Sequence, residues 1–398
     1  MTMDQLAIHG GKPVRKDFLP YARQWIDSDD IEAVSAVLRS DFLTTGPKVK
    51  EFEQKIASTV GAKYAVSFIN GTAALHAACF AAGIKKGDEV ITTPLSFAAT
   101  ANSILYQGAT PVFADIDQHS FNLSPESIEP LINERTKAII PVDFAGQPCD
   151  YDNILPLAQK YNLTVIEDAA HALGATYKGK SVGAMSDMTM FSFHPVKHIT
   201  TGEGGMITTN DEKLYNELIQ FRNHGITKDP KRFIKSDGPW FYEMQFLGYN
   251  YRLNDLQAAL GLSQLSKLES FIERRKQIVE FYNNAFSNIA AIHTPKLLEG
   301  CESSWHLYVL RLDLDKLTVS RKKIFEALQK ENIGVNVHYI PIYWHPYYEN
   351  LGYEKGLCPT AEQTYEEIIT LPLFPQMTND DASDVVKAVN KVISYYSL

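Results

Sequence analysis

Between residues 60 and 210, short apolar runs alternate with segments of helix length, and this rhythm constrains the fold more than any other feature of the chain. The runs fall at residues 64–68, 89–92, 111–114, 138–142, 164–167, 188–193 and 206–209. Most are continuously apolar rather than alternating, as expected of strands buried on both faces. Between the early runs lie residues 72–82, 97–107, 125–133 and 150–161, each long enough for a helix. The alternation predicts an α/β fold with a mostly parallel sheet between helical layers. In such sheets ligands bind beyond the carboxyl ends of the strands, so chemistry is sought just after each strand.

Residues 64–84 and 90–114 contain no Asp, Glu, Lys or Arg. Their length would suit a membrane span. Turn chemistry breaks both, at Asn70-Gly71, at Pro94 and around Gly108 and Pro111, so buried strand-helix pairs are the better reading. After about residue 250 the rhythm changes. Leu253, Leu256 and Leu260 mark one face of an amphipathic helix, which is predicted to continue through residues 267–276. A strand at 305–312, a helix at 321–330, a strand at 334–339 and a final helix from about Asp380 follow. The expected division is a large domain over residues 1–250 and a connecting helix with a smaller α+β domain over 251–398. The first 45 residues match neither pattern.

Composition narrows the function classes. At 398 residues, 45% hydrophobic and 21% charged, the chain is an ordinary globular one and not a disordered or fibrous one. Its 38 basic and 47 acidic residues give a net charge of −9 without a basic tract, which argues against nucleic-acid binding. An anionic substrate would need a locally arranged site. Cys79, Cys149, Cys301 and Cys358 form no CxxC pair, so neither a zinc site nor a disulfide framework is expected, and no metal is implied. The N-terminal residues lack an apolar core, so no signal peptide is expected and a cytoplasmic location fits.

Three patches carry chemistry. Asn70-Gly71-Thr72 follows a strand and opens a helix, where free N–H groups and the helix dipole favour an anion; a plain capped turn is the alternative. Glu167-Asp168 ends an apolar strand, where an acid could pair with a cationic ring nitrogen or a metal, or merely cap the next helix. His171 just beyond is by itself equally a core histidine. Ser192 ends another strand, and Lys197 follows before the turn Gly202-Glu203-Gly204-Gly205. An ammonium between buried strands is costly, and burial depresses a lysine pKa, making the amine a nucleophile and proton carrier. An anion cradle, an acid and a reactive lysine at one sheet edge match the needs of pyridoxal 5'-phosphate: donors for its phosphate, a carboxylate for its ring nitrogen, an amine for its aldehyde.

Over essentially its whole length the chain resembles the DegT/DnrJ/EryC1/StrS sugar-nucleotide aminotransferases, which have the fold-type I pyridoxal phosphate architecture. The resemblance is carried by Asn70–Leu75, Ser96–Thr100, Glu167–Ala172, Ser192–Gly205 and Gly248–Asp255, with an echo in Ile8–Pro13. It implies a large mostly parallel seven-stranded sheet domain with a smaller C-terminal domain. It implies that Lys197 joins the cofactor, Asp168 binds the ring nitrogen, Gly71, Thr72 and Ser192 hold the phosphate, and Phe97 stacks on the ring. Asn250 would reach the phosphate of a neighbouring subunit in a homodimer. His171 stands where members usually carry Gln, and could still donate near the ring oxygen. Because the lysine position is filled, transamination is favoured over the histidine-driven dehydration of one branch, and a non-enzymatic regulator is the remote alternative. The form of residues 192–205 is most similar to the pseudaminic-acid-pathway subgroup, which implies L-glutamate and a UDP-keto-sugar as substrates; sibling enzymes acting at C4 or C3 of other UDP- or dTDP-linked sugars share most of the motif. For the sugar nucleotide, Arg252, His338 and Tyr343 are the candidate contacts.

Overall fold

A computed structural model describes residues 5–398. The apolar runs form β1 (Tyr64–Phe68), β2 (Glu89–Thr92), β3 (Thr110–Phe113), β4 (Thr136–Ile140), β5 (Thr164–Asp168), β6 (Met188–Ser192) and β7 (Gly205–Thr209). They join in one seven-stranded sheet of order β1-β7-β6-β5-β4-β2-β3. Only β7 runs against its two neighbours; the other pairs are parallel. The carboxyl ends of β1, β2, β5 and β6 therefore open on the same edge.

Val66, Val90, Ala138, Ile140 and Ile166 pack with the helix Gly71–Ala81 on one face. Ile91, Ile139 and Val165 pack with the helix Tyr151–Tyr161 on the other. Burial on both faces explains why the strands read as unbroken apolar runs. Gly205 is required where β7 passes β1, since a Cβ there would meet the Asn70 carbonyl oxygen at 2.5 Å.

The C-terminal part is built on an antiparallel sheet of β8 (Ile292–His293), β9 (Tyr308–Leu312) and β10 (Ile368–Leu371), in that order. The helices Leu268–Phe286, Arg321–Lys330 and Asn379–Tyr396 share its core. The first part of the unassigned N-terminal segment belongs with that core: Leu6 and Leu19 are buried in it, and Leu19 bonds Asn332 and Gly334 through the main chain. The helix Ser28–Leu38 instead packs on the helix Asp255–Leu265, where Asp30 accepts from Ser263 and Gln264.

Two expectations for this part are corrected. The helix after residue 253 does not run on unbroken; Asp255–Leu265 ends at Ser266 and a second helix, Leu268–Phe286, begins after Lys267. Residues 334–339 form no strand beyond a single bridge from Asn336 to Thr370. There the Asn336 side chain accepts the Val337 N–H at 2.9 Å, taking a donor that a ladder would use. No described helix is long and apolar enough to cross a membrane.

Candidate active site

Four strand ends build the site. After β1, Asn70 caps the helix Gly71–Ala81 by accepting the Ala73 N–H at 2.8 Å. The N–H groups of Gly71 and Thr72 remain as helix-terminal donors. A Cβ on Gly71 would lie 3.5 Å from Ser192 Oγ, which places the β6 hydroxyl beside these donors. An anion there meets two amides, a hydroxyl and the positive end of the helix dipole.

Asp168 closes β5 and is buried. Its Oδ2 accepts from Thr100 Oγ1 at 2.7 Å and its Oδ1 from the Ala170 N–H at 3.2 Å. Burial raises its pKa, against the pull of these two donors and of Lys197. A buried carboxylate in this state lacks a close counter-ion, and a cationic ring nitrogen would supply one.

Lys197 lies in the loop after β6. Its stem is partly open to solvent, while its amine sits 3.4 Å from His306 Nε2 among buried histidines. Desolvation lowers its pKa to about 8, against the attraction of Asp168. About a tenth of the amine is therefore neutral at pH 7, far more than for an ordinary lysine.

His171 is buried and held at both nitrogens. The Ala145 N–H donates to Nδ1 at 3.3 Å, so Nε2 carries the proton and faces the Tyr339 hydroxyl at 3.1 Å. Burial first, and the charge of Lys197 next, push its pKa well below the ordinary value, so the ring stays neutral. Phe97 is 63% exposed at the lip after β2, with its ring centre 6.4 Å from that of Tyr339.

The other expected residues are placed differently. Asn250 is exposed on a strip bridged to Asn223, and its side chain makes no hydrogen bond among the described residues. Arg252 is half-buried and donates to Asn223 Oδ1 at 2.7 Å. His338 is buried, with Nδ1 2.8 Å from Thr370 Oγ1 and Nε2 3.3 Å from Asn336 Nδ2. Burial lowers its pKa to about 3. A neutral ring engaged at both nitrogens offers no cation to a diphosphate, so the expected contact is corrected. Tyr343 is corrected too. It lies in the core, its hydroxyl donating to Glu362 Oε1 at 2.6 Å and accepting the Cys358 N–H at 3.1 Å.

Residues 24–390 match the DegT/DnrJ/EryC1/StrS aminotransferase family. The chain belongs to this family. It is 45% identical over 381 residues to the spore coat polysaccharide biosynthesis protein SpsC of Bacillus subtilis, covering 95% of this chain and 98% of that one. Among solved structures it is similar to Helicobacter pylori PseC, an aminotransferase involved in pseudaminic acid biosynthesis, with TM-score 0.89 and 35% identity over 96% of this chain and 100% of that one. It is also similar to Spr1654 of Streptococcus pneumoniae in its pyridoxal phosphate form, with TM-score 0.88 and 34% identity over 95% and 99% of the two chains. The fold is accordingly the fold-type I aminotransferase fold, and the chain is a pyridoxal phosphate-dependent sugar aminotransferase of this family.

The residues present fit that cofactor. The amides of Gly71 and Thr72 beside Ser192 suit a phosphate, and the buried, under-neutralised Asp168 suits a protonated ring nitrogen. Several residues around them carried no local signal. His306 reaches Lys197 from the C-terminal part of the chain, and Arg275 fixes it by donating to the carbonyl oxygens of Trp305, His306 and Leu373 at 3.2, 3.2 and 2.9 Å. Gly146 permits this approach, because a Cβ there would meet the His306 amide nitrogen at 2.9 Å and its φ is +101°. Thr100 stands inside the quoted motif, one helical turn after Ser96, and that spacing was the available clue to its place beside Asp168.

Proposed function

We propose that this aminotransferase moves the amino group of L-glutamate to C4 of a UDP-linked 4-keto-6-deoxy-N-acetylhexosamine. The substrate would be UDP-2-acetamido-2,6-dideoxy-β-L-arabino-hex-4-ulose and the product UDP-4-amino-4,6-dideoxy-N-acetyl-β-L-altrosamine, as in pseudaminic acid biosynthesis. The observation that carries the reaction is the desolvated Lys197 amine, with pKa lowered to about 8, on the strand edge that also holds Asp168. The choice of sugar is supported by the likeness to PseC.

Bound pyridoxal phosphate supplies an electron sink for the carbanion formed at the amino-bearing carbon. Gly71, Thr72 and Ser192 would hold its phosphate, and Phe97 and His171 would contact its ring. Asp168, oriented by Thr100, keeps the ring nitrogen protonated. Lys197 would take the proton from the α-carbon of glutamate and hold it for return in the same half of the reaction. In the second half Lys197 carries a proton the opposite way, delivering it to C4 of the sugar. In sum, glutamate and the keto sugar become 2-oxoglutarate and the amino sugar.

The active unit in this reading is a homodimer. Ile234, Trp240 and Leu247, in the segment before Asn250, are 94%, 75% and 74% exposed, apolar groups that a second copy would cover while Asn250 enters its phosphate site. Arg252 is the remaining basic candidate for the sugar nucleotide. The test is mass spectrometry of the products formed from glutamate and a panel of UDP- and dTDP-linked keto sugars. The expected result is amination of the L-arabino UDP sugar with stoichiometric 2-oxoglutarate. Preferential amination of a dTDP sugar, or ammonia release without an aminated sugar, refutes the assignment.

A further inference from the structure

Behind the site lies a pair of acids that the reaction above does not use. Asp143 and Glu167 are both fully buried, and among the described residues neither forms an ion pair with Lys, Arg or His. Asp143 Oδ1 accepts from the Cys149 N–H at 2.9 Å and from the Tyr151 hydroxyl at 2.8 Å. Glu167 Oε2 accepts from the Thr189 hydroxyl. The remaining oxygens, Asp143 Oδ2 and Glu167 Oε1, are buried with no hydrogen-bond partner. The Val142–Asp168 bridge continues the parallel β4–β5 register, so Asp143 and Glu167, one residue to either side of that bridge, project from the same face of the sheet. Two ionised carboxylates so placed would repel in a medium with little water, and two protonated ones would waste a strong acceptor. One proton between them satisfies both oxygens.

The pair is joined to the site through the main chain. Glu167 precedes Asp168 on β5. The Asp143 N–H donates to the Asp168 carbonyl at 3.1 Å, and the Asp168 N–H donates to the Pro141 carbonyl at 2.9 Å. We propose that Asp143 and Glu167 share a single proton, Asp143 Oδ2–H donating to Glu167 Oε1, and that this locked pair is a positioning device holding Asp168 against the cofactor ring nitrogen. The proton is bound by Asp143 and the charge is kept by Glu167, so the pair carries one negative charge. Burial and then the Glu167 charge raise the Asp143 pKa, and burial raises that of Glu167. The titratable groups facing the pair are Cys149 and Tyr151 from the following segment and Cys301 from the short strand paired with Tyr177, all with raised pKa and all neutral. The polar neighbours are Thr189 on β6 and Ser186 before it.

The sign of the pH effect follows. The folded chain keeps a proton that the unfolded chain releases in the ordinary carboxylate range, so the native state binds more protons and stability from this pair falls as pH rises. Asp143→Asn is isosteric and donates an amide N–H to Glu167 without a proton to lose. Its melting temperature should gain on that of the unsubstituted chain as pH rises above the ordinary carboxylate range, where carboxylates of ordinary pKa are ionised in both chains. The infrared spectrum of the full chain at neutral pH should contain a protonated-carboxyl carbonyl band that shifts in heavy water and is missing in Asp143→Asn. Parallel melting curves with pH, or no such band in the difference spectrum, overturn the shared proton.

The positioning half rests on the proposed role of Asp168 and is read separately. Asp143→Leu removes the donor proposed for Glu167 Oε1, and its dissociation constant for pyridoxal phosphate should rise roughly tenfold, while Asp143→Asn leaves it unchanged. Equal affinity in all three chains overturns that half. The spectral and thermal results stand on the coenzyme-free full chain, whatever Asp168 does, and the Asp143→Asn comparison remains decisive should Asp143→Leu fail to fold.

Discussion

At the strand ends of the large sheet, buried polar groups find their partners within one chain; along residues 226–250 the chain leaves large apolar groups in water. Asp168 is met by Thr100, His171 by Ala145 and Tyr339, and Lys197 by His306. Ile234, Trp240 and Leu247 have no such cover, and Asn250 points no bond into its own chain among the described residues. The contrast shows where cost is met. A buried polar group without a partner costs about 1–3 kcal/mol, which favours partners for Asp168, His171 and Lys197 supplied by the same chain. Exposed apolar surface costs less per residue and can wait for association.

The largest test of this contrast is Lys197→Ala. Turnover should fall by at least ~10³-fold and the visible absorbance of the bound cofactor should be lost, with the thermal transition kept, since the lysine serves chemistry and not packing. Retained turnover would break the assignment of the reactive half. Next comes Trp240→Asp together with Leu247→Asp. If this strip meets a second copy, each charge should weaken association by about 2 kcal/mol or more. Sedimentation should then show monomers with weakened cofactor binding, because Asn250 no longer reaches its neighbour; an unchanged dimer would mean the strip is not the interface. The smallest effect is expected for Thr100→Val, which removes one donor to Asp168. Cofactor affinity should weaken by about 1–2 kcal/mol in a binding titration, with the oligomer unaffected.

The large sheet was legible because burial on both faces writes itself into local sequence. Each predicted run lies on an observed strand, with ends moved by at most a few residues, as at β3 and β4. The C-terminal part was read less well. Residues 334–339 are apolar enough for a strand, but Asn336 bonds its own neighbour instead. The short strand β10, at Ile368–Leu371, follows a helix without a turn signal and was not anticipated. His338 and Tyr343 showed polar atoms in suitable residue types, yet sequence could not reveal that Thr370 and Glu362 already occupy them.

What the sequence determined by itself is therefore local: strands from continuous apolar runs, an anion-ready helix start at Asn70-Gly71-Thr72, and a lysine placed between buried strands. The order of the strands, the meeting of Lys197 with His306 across 109 residues and of His171 with Tyr339 across 168, and the facing of Asp143 by Glu167 were decided by the tertiary structure. The physical reason is that burial periodicity is set by neighbours along the chain, whereas a hydrogen-bond partner or a depressed pKa is set by whatever the fold brings within a few ångströms, and that distance is not written in any local stretch of sequence.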